Sequence, residues 1–316
     1  MKLLEVKKLN IKFNILDGIV NAVNDVSFEI KKGEVLGVVG ESGSGKSVTF
    51  LSLFGLIPQP PGEIVSGRAI YKSENLLDMS KKKLSKLRAD EIGFIYQDPL
   101  TSLNPVLKII TQIIESPVLN RRLTKAQAIS EAKVLLKHVG ISDQKKNYDS
   151  YPHQFSGGMR QRAMIAMAIA NKPNILIADE PTTALDVLIQ AQIINLFKKL
   201  KKNGMTLMLI SHDLAVLSEV AEKIGIMYGG KMIEFGSSSE IFEKPKHPYT
   251  IGLLESIPRL HGDRKPKFIK GTPPDLLNIG DGCRFIDRCP EAMEKCKDNP
   301  PKIKTESGYV LCWLYE

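Results

Sequence analysis

The run Gly40-Glu-Ser-Gly-Ser-Gly-Lys46-Ser47 constrains the fold of this chain more than any other feature. It fills the pattern G-x-x-x-x-G-K-[ST]. It also follows the apolar run Val35–Val39 and leads into a helical stretch from Ser47 to Leu56. Glycines there let the backbone turn so tightly that several N–H groups converge on one phosphate chain. The helix start behind them adds about half a positive charge. Lys46 is expected at the β- and γ-phosphates, and the Ser47 hydroxyl on Mg²⁺. A structural turn alone would account for the glycines but not for the strand before them and the helix after. The run therefore predicts a nucleotide phosphate site, with Gly40, Ser42, Gly43, Ser44, Gly45, Lys46 and Ser47 as candidate contacts.

A length of 316 residues accommodates one large or two smaller domains, and 43% hydrophobic with 25% charged residues is an ordinary globular balance. No stretch approaches the roughly 18 to 20 apolar residues needed to span a bilayer. The start MKLLEVKKLNIKF lacks the apolar block of a secretory signal, so a cytoplasmic chain is expected, one that can still sit on a membrane. The net charge of +9 is compatible with nucleic acid, an anionic membrane surface or a lysine-rich proteome. Its lysines are dispersed and the 6% aromatics do not interleave with them, which argues against a single-strand stacking groove. No nucleic-acid partner is expected.

The segments Leu3–Phe13 and Asn24–Ile30 alternate apolar and polar residues, and Asp17-Gly18 supplies a hairpin turn between them. An antiparallel β layer is expected ahead of the nucleotide strand. Phe13 either stacks on a base or belongs to the core. A further strand pair is expected around Gly67 to Tyr71, and a short strand, Ile92–Tyr96, ends at Gln97. Residues from about 98 to 171 read as a largely helical insert, with Thr124 capping one helix. The runs Ile175–Asp179, Leu207–Ser211 and Ile224–Tyr228, separated by helices, predict a parallel sheet buried on both faces. Near Gly236 the composition turns proline-rich, and all four cysteines follow. The domain boundaries read from this are 1–235 and 236–316.

Asp179 and Glu180 close an apolar strand, as a metal-holding carboxylate and a water-activating carboxylate require. Helix-capping carboxylates are the bland alternative. Phe155-Ser156-Gly157-Gly158-Met159-Arg-Gln-Arg opens a helix running to Ala170 and offers a second anion-seeking helix start. One nucleotide's phosphates are already met by the first loop, so the second is expected to serve a nucleotide held by another subunit.

The ordered set GESGSGKS, Gln97, FSGGMRQR, ILIADEP, Ala184-Leu-Asp186 and Ser211-His212 resembles the ATPase subunits of ABC transporters, from about residue 3 to 235. The resemblance implies a P-loop NTPase (RecA-like) α/β core with an antiparallel β layer and helical insert. It implies ATP and Mg²⁺ as cofactors and a head-to-tail pair of ATPases. Ser156 and Gly158 would touch the partner's γ-phosphate, and Gln97 would link Mg²⁺ and the water to the membrane subunits. Asp186 would cross the pair, His212 would contact the γ-phosphate, and Phe13 would stack on adenine. The catalytic set so implied is Glu180, His212, Gln97 and Lys46, with Ser47, Gln97 and Asp179 on Mg²⁺. One departure stands out: where the family has LSGGQ this chain has FSGGM, so Met159 replaces a glutamine.

Cys283, Cys289, Cys296 and Cys312 are spaced C-x₅-C-x₆-C-x₁₅-C. Disulfides are disfavoured in a reducing cytosol, and zinc usually takes tighter pairs. Four thiolates without histidine suit an iron–sulfur cluster at least as well, and four unrelated thiols are the bland alternative. His247–Leu254, Gly271-Thr-Pro-Pro-Asp-Leu276 and Cys283–Ala292 resemble the C-terminal extension of oligopeptide and dipeptide importer ATPases, some of which carry a [4Fe–4S] cluster. A cluster on these four cysteines is expected from that likeness.

The resulting expectation is an ATP-hydrolysing importer subunit, peripheral at the cytoplasmic face of the cell membrane, most simply for oligopeptides or dipeptides. Nickel, glutathione and sugars are cargo of relatives. The expected partners are a second, similar but distinct ATPase, two permease chains and an extracytoplasmic solute-binding protein. A soluble ABC ATPase acting on nucleic acid or ribosomes is the rival reading, disfavoured by the single phosphate loop and the short insert.

Overall fold

The computed structural model describes residues 2–141, 148–183, 185–257, 267–277 and 279–316. Its strands are β1 (Lys2–Ile15), β2 (Gly18–Lys31), β3 (Val35–Val39), β4 (Gly62–Tyr71), β5 (Glu74–Asn75) and β6 (Ile92–Ile95). They continue with β7 (Ile175–Asp179), β8 (Thr206–Ser211), β9 (Lys223–Tyr228), β10 (Lys231–Ser237), β11 (Lys302–Lys304) and β12 (Tyr309–Leu311). Two compact units result: Met1–Met79 with Ser211–Glu316, and Ser80–Ile210.

In the first unit, β2, β1, β4 and β5 form the antiparallel layer in that order. Strict alternation along β1 would bury Val6, Lys8 and Asn10, yet Val6 and Leu9 are the buried pair. Lys8 resolves this by taking a positive φ of 48° at a register shift, a bulge that turns Leu9 and Ile11 inward. Its N–H, displaced from the ladder, donates to the Ser27 hydroxyl at 2.9 Å. Beside this layer, β3 lies parallel to β9, and every residue of β3 is buried, as a strand covered on both faces requires. Gly37 sits mid-strand because a Cβ there would stand 2.9 Å from Leu217 in the short helix Leu214–Ser218. The runs read from the sequence as parallel strands are parallel to their paired neighbours, β9 to β3 and β7 to β8. Beyond them β10 returns antiparallel to β9, and β12 and β11 extend that edge. Strands of two or three usable residues carry too little alternation to be read from sequence.

The C-terminal region is woven into this unit rather than trailing from it. Tyr309 on β12 pairs with Phe235 on β10, and its hydroxyl donates to the Ser27 carbonyl at 2.8 Å. Gly308 is required at its position because a Cβ would collide with the Phe235 carbonyl. The helix Pro248–Ser256 is capped by His247, whose Nδ1 accepts the Tyr249 N–H at 3.0 Å. Glu234 accepts the backbone N–H groups of Lys246 and His247 at 2.8 and 3.0 Å, fixing the approach to that helix.

His247 is 1% exposed, and burial lowers its pKa from 6.5 to about 3. Between those values the unfolded chain holds a proton that the folded chain refuses, so stability rises with pH across the window and is complete above it. The change is about 1.4 kcal/mol per pH unit. Melting temperature should therefore fall as pH is lowered from 7 to 5, and His247→Asn, which keeps a cap acceptor without titrating, should flatten that slope. Equal slopes in the two proteins would remove His247 as the cause.

In the second unit, β8, β7 and β6 run parallel, with all of β8 buried. The expected cap at Thr124 is present as a full capping box: its hydroxyl accepts the Gln127 N–H while Gln127 Oε1 accepts the Thr124 N–H. Helix Val187–Lys202 buries Ile193, Ile194, Leu196, Phe197 and Leu200 on one stripe and places three lysines in its last turn, where the helix dipole favours them.

Candidate nucleotide site

The phosphate loop joins β3 to the helix Lys46–Leu53. Gly40 must be glycine because a Cβ would collide with the Met227 carbonyl on β9 and stand 2.7 Å from Ser44 Oγ. Gly45, the helix N-cap, has φ 94°, and a Cβ there would strike the Ala22 carbonyl. Lys46 is 5% exposed, and its ammonium donates to the carbonyls of Gly40 at 2.7 Å and Glu41 at 3.0 Å. A buried cation that donates to neutral carbonyls can exchange them for phosphate oxygens at an electrostatic gain. The helix has no acidic residue in its first turn, so nothing there opposes an anion. Ser44 Oγ is buried without a hydrogen-bond partner, a polar demand that a bound phosphate or its water would meet. Ser42 and Gly43 are exposed at the loop tip, and Ser47 is half-buried one residue into the helix. Phe13 is half-buried near the end of β1, opposite Val20 and Gly62.

In the second unit, β7 ends at Asp179, and the chain turns sharply at Glu180, which adopts φ +47°. That left-handed backbone in a non-glycine residue costs about 1 to 3 kcal/mol, which the surrounding structure must offset. The Glu180 N–H donates to the Ile210 carbonyl at 2.9 Å, which fixes the turn on the sheet. Its carboxylate Oε2 accepts from Gln97 Nε2 and from Thr183 Oγ1, both at 3.0 Å. The residues Gln97 and Glu180, 83 apart in sequence, are thus brought into direct contact. Thr183 had not been singled out from the sequence. Its offset of three from a carboxylate in a turn was the available signal.

Ser156 caps the helix Gly157–Ile169, its hydroxyl accepting the Met159 N–H at 3.3 Å. Ser156 is exposed, and this helix also has no acidic residue in its first turn. Gly158 is buried against Ile189, whose Cγ2 would lie 2.7 Å from a Cβ placed there, so the helix Val187–Lys202 sets the glycine requirement. Met159 replaces the family glutamine through its side chain, while the backbone N–H keeps the cap. Asp186 caps the helix Val187–Lys202 by accepting the Ile189 N–H at 2.9 Å, and is exposed. Ala184 of the same motif lies outside the described residues. His212 follows β8 and is exposed.

The four cysteines carry free thiols. Burial pushes Cys283 up to about 11 and raises Cys289 and Cys312 as well, with the neighbouring thiols adding in the same direction. Their donor chemistry suits iron and sulfur, but the geometry does not yet gather it. Among the described residues no group of three or more His, Cys, Asp or Glu side chains stands where it could hold a metal ion. The expected [4Fe–4S] cluster on Cys283, Cys289, Cys296 and Cys312 is therefore not supported by the arrangement seen.

Known proteins share the sequence and fold of this chain. Residues 23–183, just over half of the chain, match the ABC transporter family, and residues 233–296 match the oligopeptide/dipeptide transporter C-terminal region. The chain is 46% identical to the dipeptide transport ATP-binding protein DppD of Bacillus subtilis, over all of this chain and 95% of that one. It is 46% identical to the oligopeptide transport ATP-binding protein OppD of Escherichia coli, over 95% of this chain and 89% of the other. Among solved structures, the ATP-binding cassette MJ0796, dimeric and bound to ADP and Pi, superposes with a TM-score of 0.67 at 28% identity. That alignment covers 74% of this chain and 98% of that one. The fold and site thus define an ATP-hydrolysing cassette. The chain belongs to the ABC transporter ATPases, in the branch that carries the oligopeptide/dipeptide C-terminal region.

Proposed function

We propose that this chain hydrolyses ATP at the cytoplasmic face of a membrane and so powers the uptake of oligopeptides or dipeptides. The observation that carries the cargo class is the match of residues 233–296 to the oligopeptide/dipeptide C-terminal region, together with the named peptide-transport relatives. Among the described residues no helix is long and apolar enough to cross a membrane, so membrane crossing is assigned to two permease chains. A solute-binding protein and a second, distinct ATPase complete the assembly. The ATPase portion is taken as residues 1–235, with the helical subdomain at about 98–171, and the extension as 236–316.

In this reading Gly40, Ser42, Gly43, Ser44, Gly45, Lys46 and Ser47 wrap the phosphates, and Phe13 stacks on adenine. Oxygen donors on Ser47, Gln97 and Asp179 are the hard ligands that Mg²⁺ prefers. Mg²⁺, when bound, neutralises charge on the β- and γ-oxygens. The Glu180 carboxylate takes a proton from the attacking water, and Gln97 and Thr183 orient that carboxylate. Release of Glu180 by Gln97 as ATP enters is one way for nucleotide occupancy to be felt at the insert. His212 meets the γ-phosphate. Ser156, Gly158 and Asp186 act across the ATPase pair, so that two ATPs favour the closed pair and hydrolysis reopens it.

The test is to tag the Glu180→Gln protein, trap it with ATP in its native cells and identify what co-purifies. Two permease chains, a second ATPase and a peptide-loaded binding protein are expected. Ribosomal proteins or DNA in their place would overturn transport while leaving the ATPase chemistry intact. A [4Fe–4S] cluster on the four cysteines rests on the donor set alone, not on a ligating geometry. Anaerobically purified protein should then hold about four irons per chain and absorb near roughly 400 nm. Iron-free, colourless protein would sink it.

A further inference from the structure

The C-terminal region grips the phosphate loop at Glu41, a residue that the nucleotide motif leaves unspecified. The Glu41 N–H donates to the Tyr249 hydroxyl at 3.1 Å, and its carboxylate Oε2 accepts from Arg288 Nη1 at 2.8 Å. The Glu41 carbonyl, in turn, accepts from the Lys46 ammonium. Backbone N–H, side chain and carbonyl of one loop residue are thus all engaged, two of them by the extension and one by the phosphate-seeking lysine.

The grip is rigid. Tyr249 is fully buried, its ring 4.5 Å from that of Tyr228 and 5.4 Å from that of Phe285. The Arg288 side chain is 7% exposed. Its guanidinium lies over the Tyr228 and Phe285 rings, donates to the Tyr228 hydroxyl at 3.0 Å, and through Nε donates to the Lys270 carbonyl at 2.9 Å. An arginine stacked and held at three points loses little entropy on pairing with a carboxylate. Left alone, the Glu41 carboxylate would repel a triphosphate and let the loop sample other shapes. Paired with Arg288, it is neutralised and fixed.

We infer that Arg288 and Tyr249 are positioning residues for the phosphate loop, through which the C-terminal region sets how tightly the chain holds ATP. This rests on the reading of Gly40–Ser47 as the ATP phosphate loop. The device acts on binding rather than on the hydrolytic step, because none of its members is drawn from the group formed by Gln97, Glu180 and Thr183.

The test is calorimetric titration of the full-length protein with ATP and excess Mg²⁺, joined to steady-state ATPase kinetics. Arg288→Met should raise the Kd and KM for ATP about tenfold while kcat at saturating ATP stays within about twofold. Arg288→Lys, which restores the charge but not the fork, should recover part of the loss. Adding Glu41→Gln to Arg288→Met should bring Kd back to within about threefold of wild type, because the unpaired charge is gone. Tyr249→Phe keeps the packing, removes the acceptor of the Glu41 N–H and should raise Kd about threefold. If Arg288→Met does not fold, Tyr249→Phe and the Glu41→Gln/Arg288→Met double variant decide. Unchanged Kd in both Arg288→Met and Tyr249→Phe overturns the inference. So does a double variant no tighter than Arg288→Met, since the loss would then not pass through Glu41. A Lys46→Ala protein that binds ATP like wild type would instead overturn the ATP-site reading beneath it.

Discussion

Glu180→Gln is expected to lower steady-state ATP hydrolysis by about a hundredfold or more, while ATP binding persists and an ATP-bound pair of ATPases accumulates. The amide keeps the shape of the carboxylate and can still accept from Thr183, so the turn at φ +47° need not change. What is lost is the capacity to take a proton from water. Single-turnover hydrolysis measured beside nucleotide retention by gel filtration checks this. Undiminished turnover would rule Glu180 out as the base and move attention to His212. The geometry favours Glu180 because its carboxylate is held by two donors, Gln97 and Thr183, at hydrogen-bond distance.

Lys46→Ala is the second large effect. Its ammonium is buried and donates to the Gly40 and Glu41 carbonyls, and in the proposed reading it would exchange these for charged phosphate oxygens. Two charge-assisted hydrogen bonds of about 1.5 to 3 kcal/mol each correspond to roughly a hundred- to ten-thousandfold loss of ATP affinity. The fold should survive, because the alanine variant leaves the Gly40 and Glu41 carbonyls open to water. Equilibrium titration with ATP, accompanied by a thermal melt, separates the two. A variant that melts like wild type and binds ATP equally well would exclude Lys46 from the phosphates. These two variants fail differently, one with ATP bound and uncleaved, the other with ATP absent, which makes them informative as a pair.

Much of the site was legible because it is local. A phosphate loop must carry its glycines, lysine and hydroxyl within eight residues, and the structure explains two of those glycines by collisions with Met227 and Ala22 carbonyls. Asp179 and Glu180 are adjacent in sequence and end a strand whose apolar run announces it. Ser156 sits at a helix start for the ordinary reason that its hydroxyl caps the third N–H beyond it. The capping box at Thr124 is of the same kind. Other features are not local, and no pattern along the chain points to them. Gly158 is glycine because of Ile189, thirty-one positions onward and on another helix. The bulge at Lys8 shows only as a fault in the alternation of β1, and its meaning depends on which side of the layer is covered. The edge strands β11 and β12 are too short to read as strands, and the thiols of the extension share a region without sharing a ligating geometry.

Sequence by itself determined the family of this protein and the motifs on which its proposed chemistry rests: the phosphate loop, the carboxylate pair at a strand end and the glycine-rich helix start. Those properties depend on the types and close spacing of residues that a phosphate chain or a strand end must meet together. Tertiary structure decided what the C-terminal region does to that chemistry. Arg288 and Glu41 are 247 residues apart, and each alone is an ordinary charged residue. They become one element only where an aromatic block of Tyr228, Tyr249 and Phe285 holds the guanidinium against the loop, since pairing of two charges depends on distance and burial rather than on order along the chain.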